Sequence, residues 1–158
     1  MKFRLATIED VPKMLELWYE LMYYHADHHP AFRVSDGAEK LIEDGFKTRM
    51  KDARFRYFIC EIDDEIAGFI TSNFRVTHEA MIYKKKGYIA ETVVSEKHRG
   101  KGIGKLLFEK AQEWFIEEDA DHIELQVSIK NDNALNFWEK QGFSGMTWHM
   151  IKYLKSDL

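Results

Sequence analysis

The sequence has a single cysteine, Cys60, so no disulfide can form within the chain. Cys60 closes the apolar run Tyr57-Phe58-Ile59-Cys60, where a buried, space-filling thiol is a simpler reading than a reactive one. Proline is nearly absent, with only Pro12 and Pro30. No Pro/Gly-rich linker, low-complexity stretch or internal repeat divides the chain, so one domain spanning 1–158 is expected. No apolar run approaches the ~20 residues a membrane-crossing helix needs. The opening Met1-Lys2-Phe3-Arg4-Leu5 lacks the apolar core of a secretory signal. A cytoplasmic protein with no membrane partner is the resulting expectation. Positive charge is also short: the formal net charge is −4. That disfavours nucleic acid as a partner, because a polyanion is held by a basic surface, and it suits a cationic small substrate.

What is present is the composition of a globular domain, with 45% hydrophobic and 32% charged residues in 158. Phe3 to Ala6 reads as a short strand. Thr7, with Asp10 three residues on, is close to a capping box. Val11, Met14, Leu15, Trp18, Leu21 and Met22 then recur at helical spacing, in a helix that fades near His28. A second helix is expected from Ala38 to Met50, with Leu41, Ile42 and Phe46 on one face. Phe55 to Glu61 and Ile66 to Phe74 read as a hairpin around Asp63-Asp64. Gly87 to Val94 reads as a strand. Gly102 to Glu117 reads as a helix that stacks Leu106, Leu107, the stem of Lys110, Ala111 and Trp114. His122 to Val127 is a further strand, Asn133 to Gln141 a helix stopped by Gly142, and Phe143 to Leu154 supplies one or two last strands.

The most informative segment is Arg99-Gly100-Lys101-Gly102-Ile103-Gly104-Lys105. It joins the β-branched Thr92-Val93-Val94 to an amphipathic helix. Glycine lets backbone approach a ligand closely, and the first turn of a helix offers unpaired N–H groups and a partial positive charge. Together with Arg99, Lys101 and Lys105 these make an anion site suited to a pyrophosphate. The segment is not a P-loop, since Leu106 follows Gly104-Lys105. Nor is it a Gly-x-Gly-x-x-Gly dinucleotide loop, since Leu107 stands where the third glycine belongs. A tight glycine-rich connection without a ligand is the alternative.

Here the sequence resembles the GNAT superfamily of N-acetyltransferases. That family's signature Arg/Gln-x-x-Gly-x-Gly/Ala is matched by Arg99, Gly102 and Gly104, after Val93-Val94 at a strand end. Its downstream pattern Asn-x-x-Ala-x-x-Phe-Tyr-x-x-x-Gly-Phe is matched by Asn131, Ala134, Phe137, Gly142 and Phe143. The resemblance covers nearly the whole chain. It implies an α/β (α+β) fold with a mixed, mostly antiparallel sheet, helices on both faces and strands splayed at an acetyl-CoA site. It further implies that Arg99, Gly100, Lys101, Gly102, Ile103, Gly104 and Lys105 hold the CoA pyrophosphate. Thr92, Val93 and Val94 would pair with the pantetheine arm like an added strand, and a backbone N–H near Val93 or Val94 would polarise the thioester. Asn131 would hydrogen-bond the arm, with Ala134 and Phe137 along its apolar side. One departure stands out: Trp138 occupies the position of the family's usual Tyr, beside the CoA sulfur. An indole N–H donates a hydrogen bond but is no proton source. A thiolate with a conjugate pKa of about 8.5 leaves tolerably unaided.

The acceptor amine must attack as its free base, while an amine of pKa ~10.4 is mostly protonated at neutral pH. A base is therefore needed. Glu91, three residues before Val94, is the candidate, with Glu124 in reserve. The neighbouring position is Ala90, and a slip of one residue reverses the face of a strand. A solvent-facing or salt-bridged Glu91 is the alternative. Tyr23, Tyr24 and Phe32, near His25, His28 and His29, could form the mouth of an acceptor site, and no metal site is expected. The reading is an acetyl-CoA-dependent transfer to a primary amine by direct attack, with a homodimer left open. The alternatives are a CoA-binding sensor that has lost chemistry, or an acyltransferase with another acyl chain or acceptor.

Overall fold

Strands β1 (Lys2–Leu5), β2 (Phe55–Ile62), β3 (Glu65–Val76), β4 (Lys85–Val94) and β5 (His122–Leu125) form one sheet in that order. The first four are antiparallel neighbours, and β5 runs parallel to β4. The computed structural model describes residues 1–155. The chain packs as two compact units, Met1–Gln126 and a second from Val127 onward.

The β2–β3 hairpin turns at Asp63 and Asp64, whose φ values are 52° and 61°. A two-residue connection matching the strand twist needs positive φ at both positions, and Asp tolerates it. Alternation then sorts the sheet into two faces. Tyr57, Ile59, Phe69 and Val93 pack with Val11, Met14 and Leu17 of α1 (Val11–His28) and Phe46 of α2 (Glu39–Met50). The other face meets α3 (Ile103–Glu117): Phe74 stands edge-on to Trp114 and Phe115 at 4.9 and 5.3 Å. A Cβ on Gly87 would lie 2.8 Å from the Phe115 ring, so glycine is what lets β4 pack there.

Two helical stripes differ from the sequence expectation. On α3 the buried set is Ile103, Leu107, Phe108, Ala111, Trp114 and Phe115, while Leu106 is 38% exposed and Lys110 is exposed. On α2 Phe46 is fully buried and Leu41 is exposed. One residue along a helix is a rotation of about 100°, enough to move an apolar side chain off the stripe.

Arg4 ties the start of the chain to the sheet. Its guanidinium donates to both Asp10 oxygens, at 2.7 and 2.9 Å, and to Glu61 Oε1 at 3.0 Å. The Asp10 carboxylate also accepts from the Thr7 N–H at 2.7 Å, the reciprocal half of the expected cap. The Arg4 hydrogen bonds hold the Asp10 carboxyl below its usual range, against burial. A carboxylate depressed by folding contributes stability above its unfolded pKa, and that contribution disappears as pH falls through the folded value. Asp10→Asn is therefore expected to lower stability by about 2 kcal/mol at neutral pH. The gap to the parent should narrow below about pH 4. Urea unfolding at pH 7 and pH 3 checks both statements.

In the second unit, Asn131 caps α4 (Asp132–Lys140), its Oδ1 accepting from the Ala134 N–H at 3.0 Å. Gly142, with φ 92°, follows the helix end as expected. The strands expected over Phe143 to Leu154 are not formed: residues 143–155 contain no strand. Met146, Trp148 and Met150 there are 77%, 75% and 88% exposed. An apolar, strand-like composition makes a strand only where a neighbouring edge accepts its hydrogen bonds.

Candidate functional site

The site is built on β4, and an irregularity decides what β4 presents. Its register with β3 runs Gly68↔Val94, Phe69↔Val93 and Ile70↔Thr92, then resumes at Ser72↔Ile89. Thr71 thus faces two residues, Ala90 and Glu91, which is a β-bulge. Before the bulge Gly87, and with it Ile89, faces α3. Under strict alternation Glu91 would do the same. The extra residue turns Glu91 to the α1/α2 face, the face of buried Val93, and leaves Ala90 exposed. The Glu91 N–H donates to Thr71 Oγ1 at 2.9 Å, and that hydroxyl donates to the Glu91 carboxylate. Thr71 is buried and Glu91 half-buried.

Across β2, Tyr57 stands opposite Thr71 and is buried. Burial pushes its phenol up to about 12, with the Arg49 charge pulling the other way and the Glu91 carboxylate reinforcing the rise. Its hydroxyl therefore stays protonated around Glu91. Tyr57, Thr71 and Arg49 are not singled out by the sequence, because only the register of three strands sets Thr71 on Glu91 with Tyr57 opposite, and only the seat of α2 brings Arg49 to Tyr57.

The opposite edge of β4 is open. Pairing with β5 runs from Lys86↔His122 to Ile89↔Leu125 and stops there. From Ala90 to Val94, β4 pairs among the described residues on its β3 side only. The Ser95 N–H donates to Ala67 O at 2.9 Å on that paired side. By alternation the Val93 N–H points the same way, and those of Thr92 and Val94 point to the open edge. Thr92 Oγ1 is buried without a hydrogen-bond partner among the described residues. An edge of this kind accepts a strand-like ligand.

The chain leaves β4 through Glu96–His98, a short 3-10 turn pinned by Ser95 Oγ to His98 Nδ1 at 2.8 Å. Arg99 Nε donates back to Val94 O at 3.2 Å. Gly100 and Gly102 have φ of 77° and 79°, a left-handed conformation that favours glycine. Gly102 caps α3, and the first helical bond is Leu106 N–H to Gly102 O at 3.2 Å. The N–H groups of Ile103, Gly104 and Lys105 therefore have no partner within the helix. Arg99, Lys101 and Lys105 are exposed, with Lys105 Nζ 3.5 Å from Glu109. The Ile103 side chain is buried in the core, so only its backbone can serve a ligand.

The remaining sequence candidates lie in the second unit or carry other duties. In that unit Asn131 Oδ1 is taken by the helix cap, which leaves its NH2 for a ligand. Ala134 and Phe137 are half-buried. Trp138 is buried, edge-on to Phe137 at 4.8 Å and Phe143 at 5.3 Å. Burial would raise the Glu124 carboxyl, but hydrogen bonds from Lys86 and His122, each 3.0 Å, outweigh it and hold the group low. Glu124 is thus a poorer base than a carboxylate without a cation. At the end of α1, Tyr24 lies 5.0 Å from His28 and His25 5.1 Å from Phe32, ring to ring. A cleft of about 430 Å³ between α1, β3 and the loop after β4 is lined by Lys13, Glu16, Glu20, Glu65 and Lys97. Two ion pairs lie in it, Lys13 with Glu16 and Lys97 with Glu65.

With this geometry established, comparison with known proteins gives consistent matches. The acetyltransferase (GNAT) family model matches residues 13–143. Over 155 residues, 97% of the chain, the sequence is 29% identical to the aminoalkylphosphonate N-acetyltransferase of Salmonella typhimurium and covers 91% of it. Over 86 residues, 54% of the chain, it is 36% identical to N-alpha-acetyltransferase 30 of Xenopus laevis, and spans only 30% of that protein. A crystal structure of a mutant BH1408 protein from Bacillus halodurans superposes with a TM-score of 0.88, at 24% identity, covering 98% of this chain and all of that one.

Proposed function

Taking as premise that the chain belongs to the acetyltransferase (GNAT) family, we propose that it transfers the acetyl group of acetyl-CoA to a primary amine by direct attack. The observation that carries this reading is the double character of β4. One stretch, Ala90 to Val94, offers an open edge that runs into the unpaired N–H groups at the start of α3, and its bulge aims Glu91 at the other face.

The residues present fit the donor. In this reading the N–H groups of Ile103, Gly104 and Lys105 hold the pyrophosphate, with Gly100 and Gly102 keeping the approach clear and Arg99, Lys101 and Lys105 supplying charge. The backbone of Thr92, Val93 and Val94 carries the pantetheine arm as an added strand. The open-edge N–H of Thr92 or Val94 polarises the thioester carbonyl. For the second unit the family motif assigns Asn131, Ala134 and Phe137 to the arm and Trp138 to the sulfur. The family match runs from 13 to 143 and so takes in residues of both units. Bound acetyl-CoA supplies an acetyl group activated as a thioester.

Glu91 takes the proton from the acceptor ammonium, and the Thr71 hydroxyl keeps its carboxylate in place. The freed amine attacks the carbonyl carbon, the C–N bond forms, the C–S bond breaks, the thiolate leaves, and the second proton of the acylated nitrogen is lost to water. Trp138 cannot supply the thiolate's proton. Trp138 is also the one observation favouring a CoA-binding domain without chemistry. A panel of amines given with acetyl-CoA to the purified protein separates the two. Transfer is expected to yield one acetylated amine for each free thiol. Saturable acetyl-CoA binding with no acetylated product on any amine would contradict the enzyme reading.

A further inference from the structure

Three cations lie on α2, and two of them are paired. Lys40 meets Asp44 at 2.7 Å and Lys47 meets Glu43, each across one helical turn. Arg49 has no ion pair among the described residues; its side chain reaches the Tyr57 hydroxyl, and its Nε is buried without a hydrogen-bond partner. The position four residues earlier, where a carboxylate would reach it, is Gly45. A Cβ there would stand 4.0 Å from Arg49 Nη2. Glycine is a poor residue inside a helix, and here it leaves one side of the guanidinium uncovered. The Arg49 carbon Cζ lies 5.1 Å over the Phe46 ring, Phe46 meets Tyr57 at 5.7 Å, and Tyr57 stands opposite the Thr71 that holds Glu91. A half-buried cation without a counterion therefore shares the α1/α2 face with the carboxylate assigned to the amine. A planar guanidinium matches a carboxylate or phosphonate with two parallel hydrogen bonds.

We propose that Arg49 receives an anionic group of the acceptor while Glu91 receives its amine, so that the preferred acceptors are small amino acids or aminophosphonates rather than plain amines. This rests on the acetyltransferase reading above. The test compares alanine, 1-aminoethylphosphonate and ethylamine, which share the amine and differ in the acid. Arg49→Met is expected to raise KM for whichever acid is preferred by about 10- to 100-fold, the range for a hydrogen bond to a charged group. Ethylamine should lose much less than the preferred acid, since a plain amine has nothing to offer the guanidinium, so the ratio of acid to ethylamine kcat/KM should fall. Arg49→Lys should restore part of the preference. Gly45→Glu supplies an internal partner in the favourable orientation, one turn before Arg49. It also removes a helical glycine, so it should melt no lower than the parent while losing the preference for acids. Equal losses on all three acceptors in Arg49→Met, or a parent with no preference for either acid, would overturn the proposal. If Glu91→Gln slows ethylamine transfer in that case, the acetyltransferase reading survives without Arg49. If the parent acetylates none of the three or any other amine, both fall.

Discussion

Gly104→Val is expected to weaken acetyl-CoA binding by about 100-fold or more while leaving the fold intact. Gly104 sits in the first turn of α3, between two residues whose N–H groups also lack helical partners. It is half-buried and, unlike Gly100 and Gly102, is not in the left-handed region. A valine there meets no backbone strain, and valine is a better helix former than glycine. Its branched side chain, however, stands where a phosphate must approach the N–H groups. Losing two such hydrogen bonds to a charged group, at about 1.5–3 kcal/mol each, accounts for the expected change. Gly102 is a less clean probe: its φ of 79° makes any β-branched replacement strained, so weakened binding could come from a displaced loop. Titration calorimetry of the folded Gly104→Val protein gives the answer. Affinity equal to the parent would place the donor elsewhere.

The cradle was legible in the sequence because its chemistry is local. Glycines, a helix start and flanking cations lie within seven consecutive residues, Arg99 to Lys105. The Asp63-Asp64 turn and the Gly142 end of α4 were legible for the same reason, whereas the Asn131 cap was not read from the sequence. Glu91 was legible as a candidate, but its face was not. A bulge is a property of two strands, and nothing in Tyr88-Ile89-Ala90-Glu91-Thr92 announces that Thr71 takes two partners. Thr71, Tyr57 and Arg49 come from β3, β2 and α2, and only the fold puts Thr71 on Glu91, Tyr57 opposite Thr71 and Arg49 beside Tyr57. Leu41 and Leu106 show the opposite failure, where an apolar residue one position off a helical stripe is read as core. The segment from Phe143 to Leu154 has the composition of a strand without a paired edge.

The bulge on β4 turns Glu91 away from the α3 face, and under the proposed reading Glu91→Gln has the second large expected effect. Glutamine keeps the shape and can still accept the Thr71 hydroxyl hydrogen bond, so the variant should fold as the parent does. It cannot take a proton from an ammonium. The expected loss in turnover at neutral pH is about 100-fold, the lower end of general-base effects. The sign with pH is fixed by the acceptor: an amine of pKa ~10.4 loses its proton to solvent as pH rises, so the need for Glu91 fades. The ratio of parent to variant rates should therefore fall steadily from pH 7 toward pH 10. The pH–rate profile of the two proteins on one confirmed amine tests the central claim most directly. The account predicts profiles that lie about two decades apart at pH 7 and converge at high pH. Profiles of equal height and shape would contradict it, and would remove Glu91 from the reaction.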